Sequence, residues 1–570
     1  MYVKSPSSLL PLLLSLLLAT LPKADSLAQQ SKASSRVDTL LVCAPDLIAA
    51  ARPWVEFRTE QGHQIAIVSG AATKLQIKQE IVRLARTAGL QSVVLMGDAP
   101  VANQKTSLHV ETHRVESNVI RKWGAEPSFP TDNYYADIDD DGLPELTIGR
   151  ISADSPEALD GIIAKIIAYE RSPNFNTWRR RVNFIAGVGG FGMLADSILE
   201  TTAKKFITDG IPAEYRTSMT QASWRSPYSP DPRLFQAQTI ERMNEGCLAW
   251  IYLGHGQKRG LDYYRVPDGG LPIFSTREVP QVASRAGSPI AVFLSCYTGA
   301  FDIEPDCLAE ELLESTGGPV AVIAGTNVTM PYAMTVMGNA MLRELFDSRR
   351  ATIGEVMLHA KRELGKPTEG QPRGLVDQLA KVISPDPDLL DEERAEHVQL
   401  FQLIGDPLLR IHHPKKVAIE TPEYATAGDT IKIAGNSEVD GPCVIELVCR
   451  RDRMTFRPER RSSFEPTDAW LRKLQATYGR ANDTAWTRHN GSIRDGQIAT
   501  ELSIPENATG PCHVRIYVKG KGEFAMGSSD VYLRPPPSDQ PEASYQPEAS
   551  DDTVPSDQSD PPVAETDDQP

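Results

Sequence analysis

Between Asp38 and Ile404 short apolar runs alternate with stretches of helical spacing, and few architectures accommodate that alternation. TLLVCA (39–44) reads as a buried strand. The segment 46–62 reads as a helix ending in Gly62, QIAIVSG (64–70) as a strand, 74–89 as a helix stopped by Gly89, and SVVLMGDA (92–99) as a strand. The pattern resumes with LTIGR (146–150) and a helix whose Ser155 caps a proline at its first position. VNFIAG (182–187), a helix near 193–208, CLAWIYLG (247–254), PIAVFLSC (289–296), a helix near 307–315 and PVAVIAG (319–325) follow. Strand–helix–strand order of this kind builds mostly parallel sheets. Two consecutive α/β sheets are expected, meeting near residue 180.

After residue 412 the helical pattern stops. Short strands at 416–420, 430–435, 443–450, 499–505, 512–520 and 530–534 predict an antiparallel sandwich of immunoglobulin type over 415–535, with a polar insertion at about 451–498. The segment 536–570 is acidic and poor in apolar residues, as expected of a disordered tail. Residues 1–28 carry Lys4, the apolar run 9–18 and a small-residue cleavage site at Ser26–Ala28, which together read as a signal peptide. An exported protein with no membrane span is expected. The net charge of −16 and pI near 5.2 exclude the basic footprint of a nucleic-acid or anionic-membrane binder. Seven cysteines without CxxC spacing make neither a disulfide framework nor a zinc cluster, and Cys296 is the expected free thiol.

The nearly all-apolar runs 247–254 and 289–296 read as central parallel strands, so their carboxyl ends lie side by side where open α/β sheets bind ligands. His255 and Cys296 stand at those two ends. Taken singly, the histidine is an ordinary turn residue and the cysteine a small buried hydrophobe. Taken together they form a thiol and an imidazole facing one another across a cleft. A thiolate attacks a carbonyl carbon, an imidazole protonates the leaving amine, and backbone N–H groups receive the oxyanion. Gly256 and Cys296 would supply those N–H donors, Gly256 because a substrate carbonyl can approach it closely.

These residues, with LSCYTGAFD (294–302), GGPVAVIAGT (317–326), ELTIGR (145–150) and LIGDPLLR (403–410), resemble the gingipain-type family of caspase-like cysteine peptidases over about residues 37–412. The resemblance implies two caspase-like α/β/α subdomains, 37–180 and 181–412, followed by an immunoglobulin-like module. It implies a protein or peptide substrate, no cofactor for the chemistry, His255 as general acid/base and Cys296 as nucleophile. It also implies Glu145 as the carboxylate orienting the imidazole, and a substrate-binding acid near Asp154 or Glu157. In DIDDDGLPE (137–145), Asp137, Asp139 and Asp141 alternate ahead of Gly142 like the start of a calcium loop, although Ile148 stands where an EF-hand has its bidentate glutamate. The run reads either as a structural calcium site or as a solvated acidic turn.

GVGGFG (187–192) matches a dinucleotide fingerprint in form, but the next strand ends at Ser218–Met219 without an acid, so the glycines read as a tight turn. GxSxG, HExxH and a Walker lysine are absent from the sequence. Only some nine residues separate Ala28 from Asp38, so the large inhibitory pro-domain of secreted gingipain-type peptidases is not expected. The rival readings are a catalytically idle binding protein and a transpeptidase on the same dyad. Oligomeric state is not legible.

Overall fold

The computed structural model describes residues 36–101, 104–189, 207–284, 286–367, 375–383 and 386–536. The expected signal peptide, the tail beyond residue 536, most of the helix expected near 193–208 and the last three residues of GVGGFG lie outside them.

Ten of the described strands form the main sheet of the body: β1 (Thr39–Cys43), β2 (Ile65–Ser69), β3 (Ser92–Met96), β4 (Thr147–Ile151), β5 (Arg181–Ala186), β6 (Arg216–Gln221), β7 (Ala249–Leu253), β8 (Ile290–Leu294), β9 (Ala321–Gly325) and β10 (Phe401–Ile404). Among the described helices are α1 (Arg52–Glu60), α2 (Lys74–Thr87), α3 (Pro156–Arg171), α4 (Phe235–Asn244), α5 (Leu308–Glu314), α6 (Pro331–Phe346), α7 (Ile353–Gly365) and α8 (Leu390–Leu400). The local signals act as expected. Ser155 Oγ accepts the Ala158 N–H with Pro156 at N1, and Gly62 and Gly89 close α1 and α2 with positive φ.

The two expected sheets are one. Strand order is β2-β1-β3-β4-β10-β9-β8-β7-β5-β6, and β10–β9 is the antiparallel pair within it. β10, the last strand of the body, enters between the halves: its Ile404 is in register with Arg150 of β4 and with Val322 of β9. That insertion pairs two strand edges that would otherwise present open N–H and C=O groups. Beyond β10, buried Asp406 accepts from Arg58 at 2.6 Å and from the Trp54 indole at 2.5 Å, tying the strand to α1. All five residues of β8 are buried, as are the first four of β7, so both are covered on each face.

The sandwich comprises β11 (Lys415–Glu420), β12 (Tyr424–Thr426), β13 (Thr430–Ser437), β14 (Gly441–Cys449), β15 (Ala485–Ile493), β16 (Gln497–Ser503), β17 (Gly510–Lys519) and β18 (Phe524–Arg534). It encloses its own apolar core around Ile431, Leu447, Val514 and Leu533. The expected insertion is shorter than 451–498: Ala485–Ile493 is a full strand paired with β14, exposed along much of its length, which is why its polar residues disguised it. Residues 451–484 do leave the sheet, and they strap the sandwich to the main body. Within them α9 (Asp468–Ala481) brings Tyr478 Oη to Thr220 at 2.8 Å, and Asn482 meets both the N–H and the C=O of Met219 on edge strand β6. No described helix is long and apolar enough to cross a membrane.

Candidate active site

β7 and β8 are neighbours and parallel, with Tyr252 opposite Phe293 and Leu253 opposite Leu294. Two residues beyond each of these strand ends stand His255 and Cys296, each on the loop that leaves its strand. The Gly254 N–H still bonds to Leu294 O at 3.3 Å, and buried Tyr252 donates its hydroxyl to His255 O at 2.8 Å, which holds the histidine backbone. A Cβ built on Gly256 would lie 2.6 Å from Cys296 O and 2.9 Å from Ser295 Oγ, so only glycine permits this approach.

After Cys296 the chain turns sharply. Tyr297 adopts φ 61°, rare for a residue with a side chain, and its N–H bonds to Asn327 O at 3.0 Å. Cys296 is partly exposed, whereas the other six cysteines are buried. Burial pushes the thiols of Cys43 and Cys512 up to about 12 and that of Cys449 to about 11, so they stay protonated and inert.

A third element closes on the sulfur. Thr329, in the loop between β9 and α6, directs its N–H at Cys296 Sγ (3.3 Å), with its hydroxyl at 3.6 Å and its carbonyl at 3.7 Å. That loop is held by α8. His397 Nε2 accepts the Met330 N–H at 2.7 Å, and Glu393 Oε1 accepts the Ala333 N–H at 3.1 Å. Neither Thr329 nor His397 stands out in the sequence: α8 reads LDEERAEHVQL, which looks like a solvated helix, yet Glu393, Arg394, Glu396 and His397 are all buried.

Glu145 lies elsewhere than expected. Its Oε1 accepts from Arg362 at 3.0 Å and its Oε2 from the Ile138 N–H at 2.9 Å. It precedes β4, which β10, β9 and β8 separate from β7, so about 19 Å of sheet lies between those two strands. Instead Glu145 joins Asp137 and Asp139, the carboxylate oxygens of all three lying within 4.8 Å of one another. Asp137 Oδ1 is buried without a hydrogen-bond partner, while its Oδ2 accepts the Gly142 N–H. Asp141 stands outside this trio, its carboxylate accepting the Leu143 N–H. Burial raises the carboxyls of Asp137 and Glu145, as befits acids gathered with one oxygen unmatched.

Asp154 belongs to a second acidic group, within 4.8 Å of Asp98 and Asp306, and its N–H bonds to Glu314. Burial raises all of these carboxyls, Asp306 to about 8 and Glu314 to about 7, and neighbouring carboxylates add to the rise. Glu157 is in the first turn of α3. Asp154 also faces His109, whose charge offsets part of that rise.

A family model described as Peptidase family C25 matches residues 32–412. Gingipain R2 of Porphyromonas gingivalis is 24% identical over 318 residues, which cover 54% of this chain and 39% of that protein. Lys-gingipain of the same organism is 22% identical over 286 residues, 48% of this chain and 14% of that protein. The chain thus spans well under half the length of these relatives. The crystal structure of the Arg-specific cysteine proteinase gingipain R superposes with a TM-score of 0.50 at 17% identity, covering 88% of this chain and 99% of that one. At that identity the likeness shows the fold: a caspase-like α/β body followed by a β-sandwich.

Proposed function

Since the chain belongs to peptidase family C25, we propose that it is an exported cysteine endopeptidase acting through His255 and Cys296. The observation that supports this reading is the parallel register of β7 and β8, whose neighbouring ends lead into His255 and Cys296, with Gly256 packed on Cys296 O. The Cys296 thiolate attacks the scissile carbonyl carbon. A C–S bond forms and the carbonyl π pair moves onto oxygen, where the N–H groups of Gly256 and Cys296 receive it. The His255 imidazolium gives its proton to the amide nitrogen as the C–N bond breaks. Water, deprotonated by the neutral imidazole, then hydrolyses the thioester and restores the thiol. Export rests on the signal-like residues 1–28, and the acidic surface suits a protein substrate better than a polyanion.

Asp137, Asp139 and Glu145 fit a hard divalent cation such as calcium, because three carboxylates converge and one buried oxygen lacks a partner. Such an ion would neutralise their mutual repulsion and stiffen the turn that leads into β4. It takes no part in the chemistry at Cys296.

The deciding experiment is digestion of a mixed peptide library followed by mass spectrometry, with Cys296→Ala and Cys307→Ala beside the unmodified protein. Cleavage abolished in folded Cys296→Ala and retained in Cys307→Ala supports the reading. Joined rather than hydrolysed peptides would make the enzyme a transpeptidase, and an unmodified protein that cleaves nothing would make it a binding protein.

A further inference from the structure

The sulfur of Cys296 has a partner better suited to its ionised form than to its neutral one. The thiol donates toward Thr329 O at 3.7 Å, a long contact, while the Thr329 N–H points at Sγ from 3.3 Å. Thr329 is 3% exposed, so its N–H and hydroxyl are shielded from bulk water. Its hydroxyl lies between two sulfurs: Oγ1 is 3.0 Å from Met334 Sδ and 3.6 Å from Cys296 Sγ. A hydroxyl carries one proton and serves one acceptor at a time. Against a neutral thiol it turns to the nearer thioether, a weak acceptor; against a thiolate the charged sulfur is the stronger claim.

The position of Thr329 depends on α8. His397 is wholly buried and bonded at both ring nitrogens, Nδ1 donating to Glu393 O at 2.6 Å and Nε2 accepting the Met330 N–H at 2.7 Å. Those two contacts require one tautomer of a neutral ring, and burial pushes His397 down to about 4, which keeps it neutral throughout the working range. From the other side, Asn327 accepts the Tyr297 N–H on its carbonyl and the Val328 N–H on its Oδ1. The segment 327–330 is therefore pinned at both ends while its middle residue faces the nucleophile.

We propose that Thr329 stabilises the Cys296 thiolate through its N–H and its switching hydroxyl, and that His397 is the positioning residue that holds it in place. The proposal rests on the reading of Cys296 as nucleophile. Other titratable groups near the sulfur are Tyr252 of β7 and Tyr297, which is itself beside Glu126 and Lys258, and His255 stands two residues beyond the end of β7. All of them stay unchanged in the variants below.

The test is the rate of Cys296 alkylation by iodoacetamide between pH 5 and 9, followed by intact mass, beside peptide turnover. Thr329→Val removes the hydroxyl and keeps the N–H. It should shift the profile to higher pH, lowering the rate at pH 6 roughly threefold to tenfold, because only the thiolate reacts. Thr329→Ser restores the hydroxyl and should return the profile to within about twofold of the unmodified protein. His397→Phe should shift the profile in the same direction, and His397→Gln, which can still accept from Met330, should shift it less. In turnover kcat should fall with KM unchanged. A Thr329→Val profile superimposed on that of the unmodified protein, in a folded variant, overturns the proposal. Alkylation reads the sulfur directly, so a shifted profile in a protein that cleaves no peptide would support this device while removing the peptidase reading.

Discussion

A Cβ placed on Gly256 would stand 2.6 Å from the carbonyl oxygen of Cys296, closer than any real contact of that kind. The residue beside the imidazole is thus pressed onto the backbone of the nucleophile, and the two strand ends cannot move independently. Gly256→Ala must push them apart. It should lower kcat/KM by about a hundredfold or more, comparable to losing an oxyanion donor, while leaving the far-UV circular dichroism unchanged. Activity within a few-fold of the unmodified protein would mean that the pair does not work as a unit.

Glu145→Gln separates catalysis from cation binding. With its carboxylate on Arg362 and Ile138 N–H, its charge should matter to the acidic turn and not to His255. The expected result is kcat within about threefold of the unmodified protein, below the range of general acid–base assistance. The rise in melting temperature on adding calcium should shrink. A hundredfold loss of kcat would return Glu145 to the imidazole.

The acidic group around Asp306 predicts a pH dependence of stability. Burial raises Asp306 to about 8 and Glu314 to about 7, so the native state keeps protons that the unfolded chain releases near pH 4. Their contribution is therefore greatest in acid and declines as pH rises from about 4 to about 8. Asp306→Asn should flatten that decline in urea titrations run at pH 5, 6.5 and 8. An unmodified protein whose contribution from this region grows toward pH 8 would contradict the assignment.

Glu446 makes the opposite prediction. Its burial would raise the carboxyl, but Arg515 and Arg180, with Arg488 bonded beside them, outweigh that and hold it down to about 2. Its contribution is present above about pH 4 and is lost as pH falls through 2. Glu446→Gln leaves buried Arg180 and Arg515 without their anion, and should cost about 3 to 5 kcal/mol in chemical denaturation at pH 7. A change under about 1 kcal/mol would show that the arginines find other partners.

The alternation of apolar runs and helical spacing was enough to predict an α/β body and a sandwich, because strands covered on both faces are apolar at nearly every position. His255 and Cys296 were legible for the same reason: each stands immediately after such a run, and neighbouring parallel strands end together. The union of the two expected sheets was not legible. It depends on four residues, Phe401–Ile404, returning from far along the chain to pair between Arg150 and Val322, and pairing partners leave no local mark. Nor could sequence separate Glu145 from its neighbours. An acid two residues before a strand reads alike whether it orients an imidazole or faces Asp137, and only the strand order places β10, β9 and β8 in between. Thr329 and His397 lay deepest. Hydrogen bonds across 33 and 67 residues have no periodicity, and a helix of Asp, Glu, Arg and His looks solvated until the fold buries it against backbone amides. Local pattern decides what a segment becomes; the distance in space between side chains far apart in sequence belongs to the tertiary structure alone.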